Sequence, residues 1–144
     1  MIPIERRYVL LRHECPDDYR DGPHYDLMIE DGDKLRTWSL HELPEAWAKS
    51  LPGAESKKKA VNSAIAIERI DSVSAAELPP HRPKFLDYEG EVSNGRGSVT
   101  QITRGEFLVA DYEAEHITIE ATTGALLGTW EMQREGDAWR ILAT

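Results

Sequence analysis

The segment HYDLMIEDGDKLRTWSL, residues 24–40, decides the fold class of this chain. Polar and apolar side chains largely alternate over residues 24–30 and again over 34–40, which is typical of half-buried β-strands. The residues between the two runs, Asp31, Gly32 and Asp33, are those of a tight turn that joins antiparallel neighbours. The segment therefore predicts a β-hairpin.

Strand and turn signals continue outward from this hairpin. Residues 7–13 predict a preceding strand, residues 43–51 a short helix starting near Pro44, residues 52–59 a surface loop and residues 60–70 another strand. The proline cluster that ends residues 74–83 predicts a break in regular structure. Beyond Phe85, short strands are expected between turn signals at 94–95, 104–105, 123–124 and 135–137. This spacing predicts a mainly β fold, a small closed antiparallel barrel with one or two short peripheral helices.

Length and composition narrow the functional classes. The 144 residues fit a single domain spanning 1–144, and a net charge of −9 argues against non-specific binding to nucleic acid. The basic run at 57–59 is more typical of a solvated loop than of a binding patch. A single cysteine, Cys15, excludes an internal disulfide framework, and no apolar run approaches the roughly 20 residues of a membrane helix. We expect a soluble cytoplasmic protein.

Two histidines and one carboxylate of the first two strands form a candidate metal site. Alternate side chains of a strand share a face, so His24, Asp26 and Met28 point the same way. Imidazole and carboxylate groups two residues apart can chelate Mn, Zn or Fe, and His13 at the end of the preceding strand could supply a third ligand. The alternative interpretation is a buried histidine that is hydrogen-bonded to a carboxylate.

A second candidate group lies among the prolines. His81 precedes Arg82, and such a pair can bind an anion or donate a proton to a leaving group. The alternative is an exposed loop histidine. The chain carries no nucleophile elbow, no phosphate-cradling loop and no dinucleotide fingerprint. The glycine-rich residues 94–98 are more typical of a turn between strands.

Several blocks together resemble the 3′-phosphoesterase domain of bacterial DNA ligase D. The matching blocks, in the order of the family motifs, are RHE at 12–14, HYDLMIE at 24–30, LRTW at 35–38, HRPKFLDYEG at 81–90, RG at 104–105, LLGTWEM at 126–132 and WRIL at 139–142. Their order and approximate spacing hold across nearly the whole chain. A match of several blocks is far more specific than any one motif.

The resemblance implies a compact β-barrel that holds a Mn²⁺-type ion, with Zn²⁺ as the alternative. It implies that His13, His24 and Asp26 are the metal ligands and that His81 is the histidine on the phosphate side. It also implies an enzyme that removes 3′-terminal phosphates or ribonucleotides from DNA ends, with a ligase or polymerase as a repair partner.

Two departures from the family pattern affect the substrate. Met28 stands where the family has an arginine that contacts phosphate, and Phe85 stands where it has a tyrosine. In one interpretation another arginine takes over the phosphate contact, Arg36 or Arg82 in preference to Arg96 or Arg104. In the other, the pocket has lost phosphoesterase activity and the chain is a non-catalytic metal-binding or partner-binding barrel.

Overall fold

The computed structural model describes residues 5–17, 22–51, 72–92 and 95–144. They form nine β-strands, one short α-helix and a 3₁₀ helix at Pro83–Leu86. The bounds of the elements are β1 Arg6–Glu14, β2 His24–Asp31, β3 Lys34–Leu40, α1 Glu45–Ala48, β4 Ser72–His81, β5 Gly90–Glu91, β6 Ser98–Tyr112, β7 His116–Ala121, β8 Gly128–Glu135 and β9 Ala138–Ala143.

Eight of these strands close into an antiparallel ring. The order around the ring is β1-β2-β3-β4-β9-β8-β7-β6, and β6 pairs back onto β1. The two-residue strand β5 is added to β6 outside the ring. The predicted mainly β, closed antiparallel barrel is thus confirmed. Among the described residues no helix is both long and apolar enough to cross a membrane.

The hairpin that decided the fold class is present. Strands β2 and β3 pair up to Asp31 and Lys34, and Gly32 adopts a φ of 67° in the two-residue turn between them. A positive φ is readily adopted by glycine. The strand predicted over 7–13 is the centre of β1, and the helix predicted near Pro44 is α1. The loop at 52–59 and the strand at 60–70 lie outside the described residues.

The prediction that the proline cluster breaks regular structure is wrong. Pro79 and Pro80 lie within β4 at a β-bulge. Leu35 of β3 pairs with His81 and Thr37 pairs with Leu78, so the two prolines are opposite the single residue Arg36. Proline cannot donate a hydrogen bond to the ladder, and a bulge removes the need for one. On its other side β4 pairs with β9 only as far as Ala75. The prolines therefore occupy positions where no ladder bond is lost.

The turn predicted at residues 104–105 is also wrong, since β6 runs through it without interruption. Gly105 is not among the described glycines with positive φ. A Cβ at this position would lie 2.3 Å from the carbonyl oxygen of Thr123 and 2.8 Å from the hydroxyl of Tyr8. Glycine is needed here for close packing of the neighbouring turn against the strand. The turns predicted near 123–124 and 135–137 are present.

Two hydrophobic clusters lie on opposite faces of the barrel wall. The larger draws side chains from all eight strands of the ring and fills the interior, with Trp130 among its buried residues. The smaller consists of Val9, Leu11, Met28, Leu35, Leu86 and Val99. It lies on the outer face of β1, β2, β3 and β6, under the segment of residues 82–92. Because faces alternate along a strand, His24 and Asp26 share the outer face with Met28.

Candidate metal centre and cavity

The three residues predicted as metal ligands meet on adjacent strands. His13 of β1 pairs directly with His24 of β2, and Asp26 lies two residues further along β2. All three side chains are buried. Polar side chains are rarely buried unless they are paired or bind an ion. The hairpin register and the strand period together bring them to one place.

The hydrogen bonds of the two rings fix where their lone pairs point. His13 Nε2 lies 2.7 Å from the carbonyl oxygen of Arg96, and His24 Nδ1 lies 2.8 Å from that of Gly22. A carbonyl oxygen only accepts, so these nitrogens carry the ring hydrogens. In a neutral imidazole the remaining nitrogen is then an acceptor. His13 Nδ1 faces Asp26 Oδ2 at 3.4 Å, and His24 Nε2 faces Asp26 Oδ1 at 3.2 Å.

These separations match those of ligand atoms around a cation. Two ligands about 2.1 Å from an ion are about 3.0 Å apart at an octahedral right angle and about 3.4 Å apart at the tetrahedral angle. Histidines that bind metals commonly donate the other ring N–H to a backbone carbonyl, as both do here. A proton on each ring would also satisfy the carboxylate, so the geometry fits either a metal centre or a charged His–Asp–His group.

The surroundings of Asp26 favour the ionised form of its carboxylate. Burial alone would raise the pKa of Asp26, but the neighbouring His13 and His24 more than offset it and hold this pKa below its ordinary value. Asp26 is therefore ionised at neutral pH. Its Oδ1 accepts no aligned hydrogen bond from the described residues, which leaves a lone pair available to a cation.

Cys15 is a candidate ligand that the sequence interpretation missed. Its Sγ and one ring nitrogen from each of His13 and His24 lie within 4.8 Å of one another, and these three residues could hold a metal ion. Burial, with smaller contributions from Asp26 and Glu14, raises the pKa of the thiol. The signal was available, because His13 and Cys15 have the same i, i+2 spacing as His24 and Asp26.

A cavity of about 360 Å³ opens beside this cluster. Strand residues His13, Asp26, Met28 and Val99 line it, and so do Arg96 and most of the stretch from Pro80 to Val92. The structure thus brings His81 and Arg82 to the same cavity as two of the predicted ligands. His24 lies behind its wall and is fully buried.

The cavity has an aromatic wall and a basic rim. The rings of His81 and Phe85 meet edge to face at 5.5 Å, and Phe85 meets Tyr88 in the same way at 5.7 Å. The Tyr88 hydroxyl donates to the carbonyl of Glu91. Three permanent cations, those of Arg82, Lys84 and Arg96, line the cavity against the carboxylates of Asp26 and Glu91. Local charge at the cavity is therefore opposite in sign to that of the whole chain.

Arg36, one of the two arginines preferred from the sequence, is not brought to the cavity. It pairs with Ile29 of β2, whose side chain is in the interior cluster, so it lies on the other face of the wall. Its guanidinium forms an ion pair with Glu77 at 2.6 Å and lies over the rings of Trp38 and Trp139. Hairpin pairing suggested that Arg36 lies near the metal ligands, but side chains alternate between the two faces along β3, and Arg36 is on the face opposite the cavity.

Arg104, the remaining arginine considered from the sequence, is also engaged elsewhere. It pairs with Asp87 and does not line the cavity.

No protein-family model matches the chain, and no curated protein matches its sequence. The resemblance to the ligase D domain thus rests on the sequence blocks alone.

Proposed function

We propose that this chain is a metal-dependent phosphoesterase in which His13, His24 and Asp26 hold a divalent ion. The observation that carries the proposal is a cluster of two buried imidazoles and a buried carboxylate, with nitrogen–oxygen distances of 3.4 and 3.2 Å, beside a cavity with a basic rim. Two nitrogens and one carboxylate oxygen suit Mn²⁺, with Zn²⁺ as the alternative. Cytoplasmic localisation belongs to the same proposal.

Each part of the cavity has a role in this chemistry. A bound divalent ion supplies Lewis-acid polarisation of a phosphoryl oxygen and lowers the pKa of water. His81 ends β4 at the cavity, where its ring can stabilise negative charge or protonate the departing oxygen. Arg82 adds a cation beside it. The aromatic wall excludes water from one side of the reacting group.

The proposed substrates are 3′-phosphate and 3′-ribonucleotide ends of DNA, as the sequence resemblance implies. The basic rim supports a phosphate-bearing substrate despite the net charge of −9. A ligase or polymerase that acts on the processed end is the proposed partner. The rim is small, so we expect contact with the end of a strand and not with a long duplex.

Two residues that line the cavity, Met28 and Phe85, favour a second function. Met28 is fully buried where the resembled family has an arginine, and a thioether cannot donate to an oxyanion. Phe85 lacks the hydroxyl expected at its position, and the nearby Tyr88 hydroxyl is engaged with Glu91. The alternative is therefore a non-catalytic barrel that binds a metal or a partner.

Phosphate release from a 3′-phosphorylated primer–template, with and without Mn²⁺, tests the two functions. The enzyme hypothesis expects Mn²⁺-stimulated release that is lost in His24→Ala and in His81→Gln. His116→Gln is the matched control, because His116 lies on β7 away from the cavity. Metal content is measured in the same samples. Bound metal without turnover supports the non-catalytic barrel, and absence of metal binding contradicts both the enzyme and a metal-binding barrel, which leaves a barrel that binds a partner.

A further inference from the structure

We propose that Arg96 has two roles at this site: its backbone carbonyl positions His13 for metal binding, and its side chain takes the phosphate contact that Met28 cannot make. The inference rests on the proposed function and deepens it by naming the anion-binding residue. It concerns binding of metal and phosphate, so it can be tested without turnover.

The first role follows from one hydrogen bond. The Arg96 carbonyl accepts from His13 Nε2 at 2.7 Å. This bond selects the tautomer in which Nδ1 carries the lone pair and faces Asp26. Partners of this kind orient ligating histidines, and their loss typically lowers metal affinity by about 10- to 100-fold.

Gly97 holds the carbonyl in place. It has a φ of 90°, and a Cβ there would lie 1.9 Å from the carbonyl oxygen of Glu14 and 2.8 Å from the Cα of Cys15. Its own carbonyl accepts from the N–H of Val92 at 2.7 Å. The turn is therefore pressed against the end of β1, next to the ligand that it orients. No side chain larger than hydrogen fits without moving it.

The second role follows from position and burial. Of the three permanent cations that line the cavity in the described part of the chain, Arg82 and Lys84 are exposed and Arg96 is half-buried. The Lys84 ammonium lies 5.1 Å from the ring centroid of Tyr88. A cationic residue in a less exposed position makes stronger contacts with an anion, because solvent screens its charge less.

Arg96 is also anchored next to one of the candidate ligands. Its carbonyl oxygen is within about 2.8 Å of its own Cα by bond lengths, so its Cα lies within about 5.5 Å of His13 Nε2. Asp26 and Arg96 both line the cavity, so the arginine and the candidate centre face the same space. The residue is thus anchored beside His13 by its backbone and is one of the residues that line the cavity.

Two variants separate the roles. Arg96→Gln keeps the carbonyl and removes the charge, so we expect unchanged Mn²⁺ affinity and weaker binding of inorganic phosphate to the Mn²⁺-loaded protein, by about tenfold or more. Gly97→Ala displaces the carbonyl, so we expect Mn²⁺ affinity to fall by about 10- to 100-fold. Gly95→Ala is the control for backbone strain, because Gly95 has a φ of 68° with nothing within 4 Å of a Cβ.

Affinity for Mn²⁺ is measured by the electron paramagnetic resonance signal of free ion, and phosphate binding by calorimetry. Nitrogen-15 NMR of the wild-type protein adds a readout that does not depend on any variant folding. It should show His13 protonated at Nε2. A His13 protonated at Nδ1, or phosphate binding that survives Arg96→Gln but is lost in Arg82→Gln, overturns the proposal. Binding as expected without hydrolysis would refute only the proposed enzyme.

Discussion

Replacing Asp26 by asparagine separates the two interpretations of the buried cluster. Asparagine has almost the shape of aspartate, but its amide can donate a hydrogen bond to an imidazole lone pair. If His13 and His24 are neutral ligands, the metal-free variant loses little, because the amide satisfies one nitrogen that faced a carboxylate at 3.2–3.4 Å. If both rings are charged, the variant leaves buried charge without its counterion.

The expected magnitudes differ by several kcal/mol. Removing one partner of a buried ion pair typically costs about 3–5 kcal/mol, whereas the neutral case predicts a change in unfolding free energy within about 1 kcal/mol at neutral pH. Mn²⁺ at about 100 times its Kd should stabilise the wild type by about 2.7 kcal/mol. For a domain of this size that corresponds to an increase in Tm of about 5–11 °C. Asp26→Asn should show almost none of it.

Thermal unfolding with and without Mn²⁺ or Zn²⁺, on protein purified without an affinity tag, measures both quantities. Asp31→Asn is the matched control, since Asp31 is an exposed carboxylate at the end of the same strand. A wild-type Tm that no divalent ion raises, together with a loss of 3 kcal/mol or more in metal-free Asp26→Asn, would show that the cluster is a structural ion pair.

Three further predictions concern the barrel. Tyr8→Phe should lower the unfolding free energy by about 1–3 kcal/mol in chemical denaturation, since the hydroxyl bonds to two backbone groups at 2.8 and 3.3 Å. Gly105→Ala should lower the unfolding free energy by about 2 kcal/mol or more, because a Cβ would meet a backbone carbonyl at 2.3 Å. In the control Gly32→Ala, where nothing lies within 4 Å of a Cβ, the unfolding free energy should fall only by the backbone strain that alanine introduces at a φ of 67°. Hydrogen bonding to Asp111 raises the pKa of His116 above 6.5, so its stabilising contribution is complete below that pH and disappears as pH rises through the raised pKa. The Tm difference between wild type and His116→Gln should therefore be larger at about pH 5.5 than at about pH 9.

The sequence predicted the secondary structure correctly where the local pattern of residues agrees with the packing of the fold. The hairpin of residues 24–40 combines alternating side chains with a turn that requires a positive φ, and both are local properties. The prediction from sequence was wrong where glycine and proline are required by packing between strands and not by a turn or a break. Gly105 marks a close approach within a strand, and Pro79 and Pro80 fit a bulge whose position depends on the register with β3. No local signal distinguishes these uses from a turn or a break.

The same division holds at the candidate site. Strand period and pairing were enough to bring His13, His24 and Asp26 together, since the distances between neighbouring strands are fixed. Arg36 was misplaced because adjacency in a hairpin does not determine the face of the wall, which follows from residue parity. The position of Arg96 at the cavity could not be predicted from the sequence, because it depends on how the turn before β6 packs on the end of β1.

If the chain has the proposed function, the location of the cavity lets Met28 stand where the resembled family has an arginine while the candidate metal ligands keep their geometry. The candidate ligands lie on paired strands of the barrel wall, whose geometry the whole ring maintains. The cations instead come from residues 82–84 and from the turn at Arg96, outside the wall. Connecting segments accept sequence change more readily than paired strands. A substrate contact can therefore move from a strand position to a neighbouring turn while the geometry of the metal ligands stays unchanged. A phosphate-binding arginine can thus lie near the metal although it comes from a different position in the sequence.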